Sequence, residues 1–261
     1  MKENLWISII TPTLNCAKTI EYCIQSIKSQ EYKFVEHIIV DGNSTDGTIE
    51  KIQTASFDGK LIIGSDNGIY AAINKGIKQA KGHIIGILHG DDFYVNNQIL
   101  ANLIPIFRGG VEAVLGSVWF IPKIGEHRII RKYETKYWIP THFRWGIQPP
   151  HPGFFLLKRK YLDLGLYREH FQIAGDFEFL LRGFLEGNWK YYLLHEPVIY
   201  MRSGGKSKFS LKNLILINKE CWQACLENNY KIFPGQLLWR YLPKLIGVLN
   251  PIFCNFCRFL F

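Results

Sequence analysis

His83 to Phe93 reads HIIGILHGDDF, and its two halves have different chemistry. Ile84, Ile85, Ile87 and Leu88 make an isoleucine-rich run that suits a strand buried on both faces of a parallel sheet. Gly90-Asp91-Asp92 then puts two adjacent carboxylates where that strand should end. Ligand sites in open α/β sheets form outside the carboxyl ends of the strands. Paired carboxylates there are hard oxygen ligands, suited to Mg²⁺ or Mn²⁺ and to phosphates that such a metal carries. Gly-Asp-Asp is also ordinary turn chemistry, so the flanking chain has to decide between a site and a turn.

Upstream, three more strands are expected: Trp6 to Thr11, stopped by Pro12; Glu36 to Val40, ending at Asp41; and Lys60 to Gly64, ending near Asp66. Between them, Thr19 to Lys28 carries Ile20, Cys23, Ile24 and Ile27 at helical spacing. A short helix follows the caps of Asn43 to Thr48, and Ile69 to Ala80 is a third helix with Gly82 just past its end. Downstream, a helix near Gln98 to Phe107 leads to a strand at Glu112 to Phe120. This alternation implies parallel strands with right-handed crossovers. Asp41, Asp66, Asp91 and Asp92 would then crowd one sheet edge, which favours a site over scattered turns. No G-x-G-x-x-G follows the first strand and no G-x-x-x-x-G-K-[ST] occurs, so clustered acids and a metal would have to bind phosphates instead.

The chain has 261 residues, 48% apolar and 20% charged, which describes a globular protein with a real core. Its formal net charge is +9. From Met201 onward Arg202, Lys206, Lys208, Lys212, Lys219, Lys231, Arg240, Lys244 and Arg258 face only Glu220 and Glu227, which points to an anionic partner there. No nucleic-acid-binding signature is present, and an anionic membrane surface fits better. Of the cysteines only Cys254 and Cys257 form C-x-x-C, without a second pair, so a zinc site is not expected. The N-terminus lacks a signal-peptide pattern, and the expected compartment is the cytoplasm.

The second half reads differently. Ile121 to Pro150 is aromatic and basic, expected as a long loop region with a short hairpin that shapes a pocket. Phe154 to Leu157 is a strand, and Phe177 to Leu185 a helix with Asp176 at its first turn, where a carboxylate is also an ordinary cap. Trp189 to Tyr200 is strand-like.

The order TPTLN (11–15), VDGNSTDGT (40–48), DNGIYAAINKGIKQAKG (66–82), LHGDD (88–92), HPGFF (151–155) and AGDFEFLLR (174–182) resembles the family 2 glycosyltransferases with the GT-A fold. More narrowly it resembles bacterial enzymes of O-antigen, colanic acid and exopolysaccharide synthesis. The resemblance runs from about Trp6 to about Ser207. It implies a mostly parallel, Rossmann-like sheet flanked by helices, over residues 1–210, with a nucleotide-sugar half at 1–120 and an acceptor half at 121–210. It also implies an inverting transfer from a nucleotide-sugar, usually a UDP-sugar, to a lipid-linked or saccharide acceptor. On this analogy Thr11, Pro12 and Asn15 line the nucleotide, Asp41 lies near the base, and Asp66 lies near the base or ribose. Asn74 and Lys75 face the donor, Asp91 and Asp92 hold a divalent metal and the diphosphate, and Asp176 is the catalytic base. His89, His151 and Lys206 rank second for diphosphate contacts, and for His151 and Lys206 a structural histidine and a solvated lysine rank ahead of that role.

Two departures stand out. His89 replaces an acid that many members carry two residues before Asp91, and imidazole can also ligate Mn²⁺. Gly175 replaces an acid before the base. Two other functions compete: a sugar-1-phosphate nucleotidyltransferase, which should show a Gly- and Arg-rich loop where TPTLNCAKT stands, and a non-catalytic nucleotide-sugar or glycan-binding module, which has no need of Asp91, Asp92 and Asp176.

Residues 211–261 read as an amphipathic helical tail. Its last part, QLLWRYLPKLIGVLNPIFCNFCRFLF (236–261), carries Arg240, Lys244 and Arg258 with Pro243 and Pro251, which argues against a spanning helix. Apolar bulk, Trp239, Tyr241 and cations able to snorkel suit a segment lying in the membrane surface. The expected location is therefore peripheral, on the inner face of the cytoplasmic membrane.

Overall fold

The computed structural model describes residues 4–122, 126, 128–202, 211–233 and 235–241. The first half alternates β1 (Ile7–Thr13), α1 (Ile20–Lys28), β2 (Val35–Asp41), α2 (Thr48–Thr54), β3 (Lys60–Ile63), α3 (Ile69–Gln79) and β4 (Ile84–Ile87). Next come β5 (Phe93–Tyr94), α4 (Ile99–Arg108), β6 (Ala113–Ile121), β7 (Arg131–Tyr133) and 3-10 turns at Pro140–Trp145 and His151–Gly153. The chain continues with β8 (Phe154–Leu157), α5 (Lys158–Leu164), α6 (Gly175–Leu185), β9 (Tyr191–Arg202), α7 (Leu211–Glu227) and a 3-10 helix at Gln236–Tyr241.

The strands form one sheet in the order β3-β2-β1-β4-β8-β6-β9-β5, with β7 paired to β6 outside that path. β1 is parallel to β2 and β4, β2 to β3, and β6 to β9. β8 lies antiparallel between β4 and β6, and two reversals restore the direction. β1, β2, β3, β4, β6 and β9 therefore all run one way, the mostly parallel α/β arrangement expected. The chain builds outward through β2 and β3, then returns to set β4 on the other side of β1. Loops leaving the carboxyl ends of β1 and β4 diverge at that switch, and a crevice opens there.

The isoleucine runs are explained by burial on both faces. Alternate strand residues point to opposite sides of a sheet. Ile7, Ile9, Ile39 and Ile84 pack on one face with Ile20, Ile24, Ile52, Leu100 and Leu103 of α1, α2 and α4. Ile10, Ile38, Val40, Ile85 and Ile87 pack on the other with α3, α6 and α7. Gly86 interrupts the run for a steric reason: a Cβ there would meet the Phe155 ring of β8 at 2.7 Å.

Three findings differ from the sequence reading or extend it. β1 runs through Pro12 instead of stopping before it. Ile10 presents its carbonyl to Leu88 on the β4 side and Thr13 presents its own to Gly42 on the β2 side, so Pro12 faces the β4 side, where the pairing ends at Ile10. Its missing N–H therefore breaks no ladder bond. α5 had no signal in the sequence. The tail expected from residue 211 onward packs on the domain as far as Tyr241: Cys221, Ala224, Cys225 and Leu237 join the core on the α3 face. The Trp239 ring lies 5.5 Å from that of Trp145, and Arg240 donates to Gly146 O and Asn218 Oδ1. Lys206 and the tail beyond Tyr241, with Cys254 and Cys257, lie outside the described residues. Among the described residues no helix is long and apolar enough to cross a membrane.

Candidate active site

A cavity of about 990 Å³ opens at the crevice between the ends of β1 and β4. One wall holds Pro12, Asn15 and Lys18 after β1, Asp46 after β2 and Asp66 after β3, with His89, Asp91 and Asp92 leaving β4. The opposite wall holds Phe120 of β6, Arg131 of β7, and Met201 and Arg202 of β9. The acids at successive strand ends are thus gathered on one edge, as parallel order requires.

Asp92 is 2% exposed, and its Oδ2 has no hydrogen-bond partner. Burial pushes its carboxyl well above the usual range, the neighbouring Asp91 charge adds to this, and Arg202 opposes it through charge and a backbone hydrogen bond. An orphaned, buried carboxylate oxygen beside a second carboxylate is a donor set that a hard divalent cation would complete, together with phosphate oxygens. His89 lines the same cavity as the two carboxylates. Among the described residues no three of His, Cys, Asp and Glu are grouped so as to hold a metal ion. The His89 ring lies beside that of His151, centroids 6.3 Å apart, and burial lowers its pKa while Asp91 opposes.

The other expected donor residues divide into two groups. Asn15 and Pro12 line the cavity, and Asn15 shapes its own turn by accepting from the Thr45 N–H at 2.9 Å. Asp66 also lines it; its Oδ1 is ion-paired with Lys75 and its Oδ2 is unpartnered. Lys75 therefore reaches the cavity through Asp66. The remaining three are engaged in structure. Thr11 is fully buried and hydrogen-bonds His37 at 2.8 Å. Asp41 is fully buried and accepts from Thr13 Oγ1 at 2.9 Å, Ser44 N at 2.7 Å and Ser44 Oγ at 2.6 Å, which holds the loop after β2. Asn74 clamps α3 to the segment before α6, donating to Tyr167 O at 2.8 Å and Glu169 Oε1 at 2.9 Å.

Asp176 sits in the first turn of α6. Its Oδ2 accepts from Gln148 Nε2 at 2.7 Å, and its Oδ1 accepts from the Phe177 N–H at 2.8 Å and faces the Tyr70 hydroxyl at 3.4 Å. Burial raises its pKa; the bonds from Gln148, Phe177 and Tyr70 pull it back. A carboxylate shifted upward and held by donors is equipped to take a proton. Gly175 is explained here, because a Cβ would meet the Tyr70 ring at 2.7 Å. An acid at that position would displace the tyrosine that contacts Asp176.

A line of contacts joins the two acid sites. His151 Nε2 and Tyr167 Oη are 2.8 Å apart, and Tyr167 stacks on Tyr70 with centroids 5.7 Å apart. His151 is buried, and burial pushes its pKa down to about 3. Glu220 of α7 accepts from the backbone N–H groups of Gln172 at 2.9 Å, Ile173 at 2.9 Å and Ala174 at 2.8 Å. These groups lead into α6, where a negative charge is favourable. Residues that the sequence reading did not single out are Asp46, Lys18, Arg131, Arg202, Gln148 and Tyr70. Asp46 was legible as a fifth acid, in the loop that follows Asp41; it is fixed by Ala17 N at 3.0 Å and Thr48 N at 3.1 Å. Lys18 and Tyr70 lie beside Asn15 and Asp66 in the chain, whereas Arg131, Arg202 and Gln148 reach the site from distant segments.

Comparisons with known proteins agree with this geometry. The family Glycosyl transferase family 2 matches residues 8–166. A PGL/p-HBAD biosynthesis glycosyltransferase of Mycobacterium bovis (strain BCG / Pasteur 1173P2) is 28% identical over 193 residues, covering 68% of this chain and 69% of its own. The glycosyltransferase AglE of Haloferax volcanii is 34% identical over 121 residues, 44% of this chain and 40% of its own. Among solved structures, S. aureus TarS 1-349 in complex with UDP-GlcNAc superposes with a TM-score of 0.66 at 19% identity, covering 92% of this chain and 72% of that one. Mannosyltransferase PcManGT from Pyrobaculum calidifontis, in complex with GDP-Man and Mn²⁺, gives 0.61 at 16% identity, covering 93% and 71%. A match over well over half of the chain, on a sheet whose strand-end acids surround one cavity, shows that the chain is a glycosyltransferase and belongs to glycosyl transferase family 2.

Proposed function

We propose that this enzyme is an inverting glycosyltransferase that moves a sugar from a nucleotide-sugar, a UDP-sugar in the first instance, to a hydroxyl of a lipid-linked or saccharide acceptor in the synthesis of bacterial surface polysaccharide. The observation that carries the reading is the division of labour between the acids. Asp91 and Asp92 end β4 at the cavity, whereas Asp176 lies apart, raised by burial and held by three donors. Residues 1–120 form the donor half and 121–210 the acceptor half, on the inner face of the cytoplasmic membrane. The UDP-GlcNAc in TarS and the GDP-Man with Mn²⁺ in PcManGT support a nucleotide-sugar donor.

In the reaction the acceptor oxygen attacks the anomeric carbon from the face opposite the diphosphate. As the new C–O bond forms, the hydroxyl proton passes to Asp176 and the bond to the diphosphate breaks. One displacement inverts the anomeric centre, and no enzyme nucleophile is needed. The leaving nucleoside diphosphate carries negative charge into a cavity lined by Lys18, Arg131 and Arg202. Asp91 and Asp92 would hold a divalent cation, which supplies further charge stabilisation to the diphosphate.

The test is turnover of UDP-, GDP- and dTDP-sugars with and without Mn²⁺, followed by NMR assignment of the product's anomeric configuration. Retention of configuration, or no nucleotide diphosphate released from any donor, would overturn the reading.

A further inference from the structure

The outer face of α7 is not that of an ordinary surface helix. Lys212, Ile215, Lys219, Trp222 and Leu226 recur at intervals of three and four residues and so form one stripe along the helix. Ile215 is 69% exposed and Leu226 60% exposed. Beside the stripe, Leu238 of the following 3-10 helix is 55% exposed and shares a shallow apolar pocket with Asn218 and Trp222. Lys212 and Lys219 therefore alternate with Ile215 and Leu226, which the domain leaves largely uncovered, while Trp222 is partly buried against the core.

We propose that this face, α7 together with Gln236–Tyr241, is the docking surface for an anionic lipid bilayer. Charge complementarity selects that occupant over a second copy. Lys212 and Lys219 stand on the stripe itself, whereas Glu220 is turned inward to Gln172, Ile173 and Ala174, and Glu227 is paired with Arg168. A second copy would bring the same cations to the interface, and like charges repel. Apolar side chains among lysines are what an interfacial helix presents to headgroups. The chain also continues from this face into PKLIGVLNPIFCNFCRFLF (243–261), a sequence of the same apolar and basic character. The inference rests on the proposed lipid-linked acceptor and deepens it: docking here sets Asp176 close to the bilayer, because α7 holds the residues that precede it.

The experiment is flotation of the full chain with vesicles of phosphatidylcholine alone and of phosphatidylcholine with about one-third phosphatidylglycerol. The wild type should float with the mixed vesicles and much less with the neutral ones. The triple variant Ile215→Gln, Leu226→Gln, Leu238→Gln should lose partition at least tenfold, and the double variant Lys212→Glu, Lys219→Glu should lose the preference for anionic lipid. Thermal unfolding and release of nucleotide diphosphate in the absence of vesicles should stay at wild-type levels in both, which separates this inference from the donor chemistry. Flotation of the triple variant equal to wild type would overturn it and move the contact elsewhere. Absence of wild-type flotation, or a dimer that the triple variant dissociates, would overturn it as well.

Discussion

Gln148→Leu removes the amide N–H donated to Asp176 Oδ2 at 2.7 Å while keeping comparable bulk. A hydrogen bond to a charged group is worth about 1.5–3 kcal/mol. That bond is made to the carboxylate and favours the ionised form. Burial already raises the Asp176 pKa, and Gln148 is the strongest of the donors that oppose the rise. Removing it must raise the pKa further. A general base works ionised, so activity is present above its pKa and falls as pH drops through it. The acidic limb of the variant's pH–kcat profile should therefore move to higher pH. Where the base is mostly protonated, the ionised fraction falls roughly ten- to hundredfold, at about 1.36 kcal/mol per factor of ten. The titratable groups packed around the carboxylate do not obscure this. Tyr70 and Tyr167 are raised well above their usual range, Tyr133 is raised to about 12 and Cys221 to about 11, all chiefly by burial. They stay neutral while Asp176 titrates. The assay is single-donor turnover across pH for wild type and variant at saturating donor. A limb that stays in place, or moves to lower pH, would refute the role given to Gln148 and with it the identity of the titrating group.

Three further outcomes follow from the same geometry. Asp176→Asn should lower kcat by at least about a hundredfold, the usual worth of general-base catalysis, with nucleotide diphosphate affinity unchanged by calorimetry; near-wild-type turnover would make Asp176 a helix cap. Asp91→Asn combined with Asp92→Asn should abolish the Mn²⁺ dependence of nucleotide binding while circular dichroism is retained, and full wild-type activity in excess EDTA would contradict a metal at this pair. Gly175→Ala should destabilise by about 1–3 kcal/mol, the cost of overpacking, and lower the unfolding temperature by several degrees in calorimetry; an unchanged temperature would mean that Tyr70 yields freely.

The first half of the fold was legible because its strands are buried on both faces. Such strands show as unbroken runs, and Ile84 to Leu88 needed no partner to be recognised. Pro12 was misjudged because its tolerance depends on where β4 stops pairing, which no local pattern records. The strand-end acids were legible as a set but not one by one. Asp66 and Asp91 line the cavity, whereas Asp41 and Asn74 spend their hydrogen bonds on Ser44 and Tyr167. Polar residues of both kinds look alike until those partners are in place. Arg131, Arg202 and Gln148 were invisible for the opposite reason: their segments carry no motif and meet the site only through the β6–β7 and β6–β9 pairings and the turn before β8.

Glu220 has a practical consequence for anyone who shortens this protein. A helix with lysines and a bare isoleucine and leucine on its outside invites removal as a handle for purification. Its inner side, however, supplies the Glu220 carboxylate that accepts from three successive N–H groups just ahead of the Asp176 turn. A chain cut before Leu211 would leave those groups without their cap and the Asp176 turn without its brace. A truncated preparation that is easier to handle but inert would then report damage to the active site, and its inertness could not be credited to the loss of a lipid anchor. The proposed docking can be tested apart from turnover only by changes on the helix surface, never by taking the helix away.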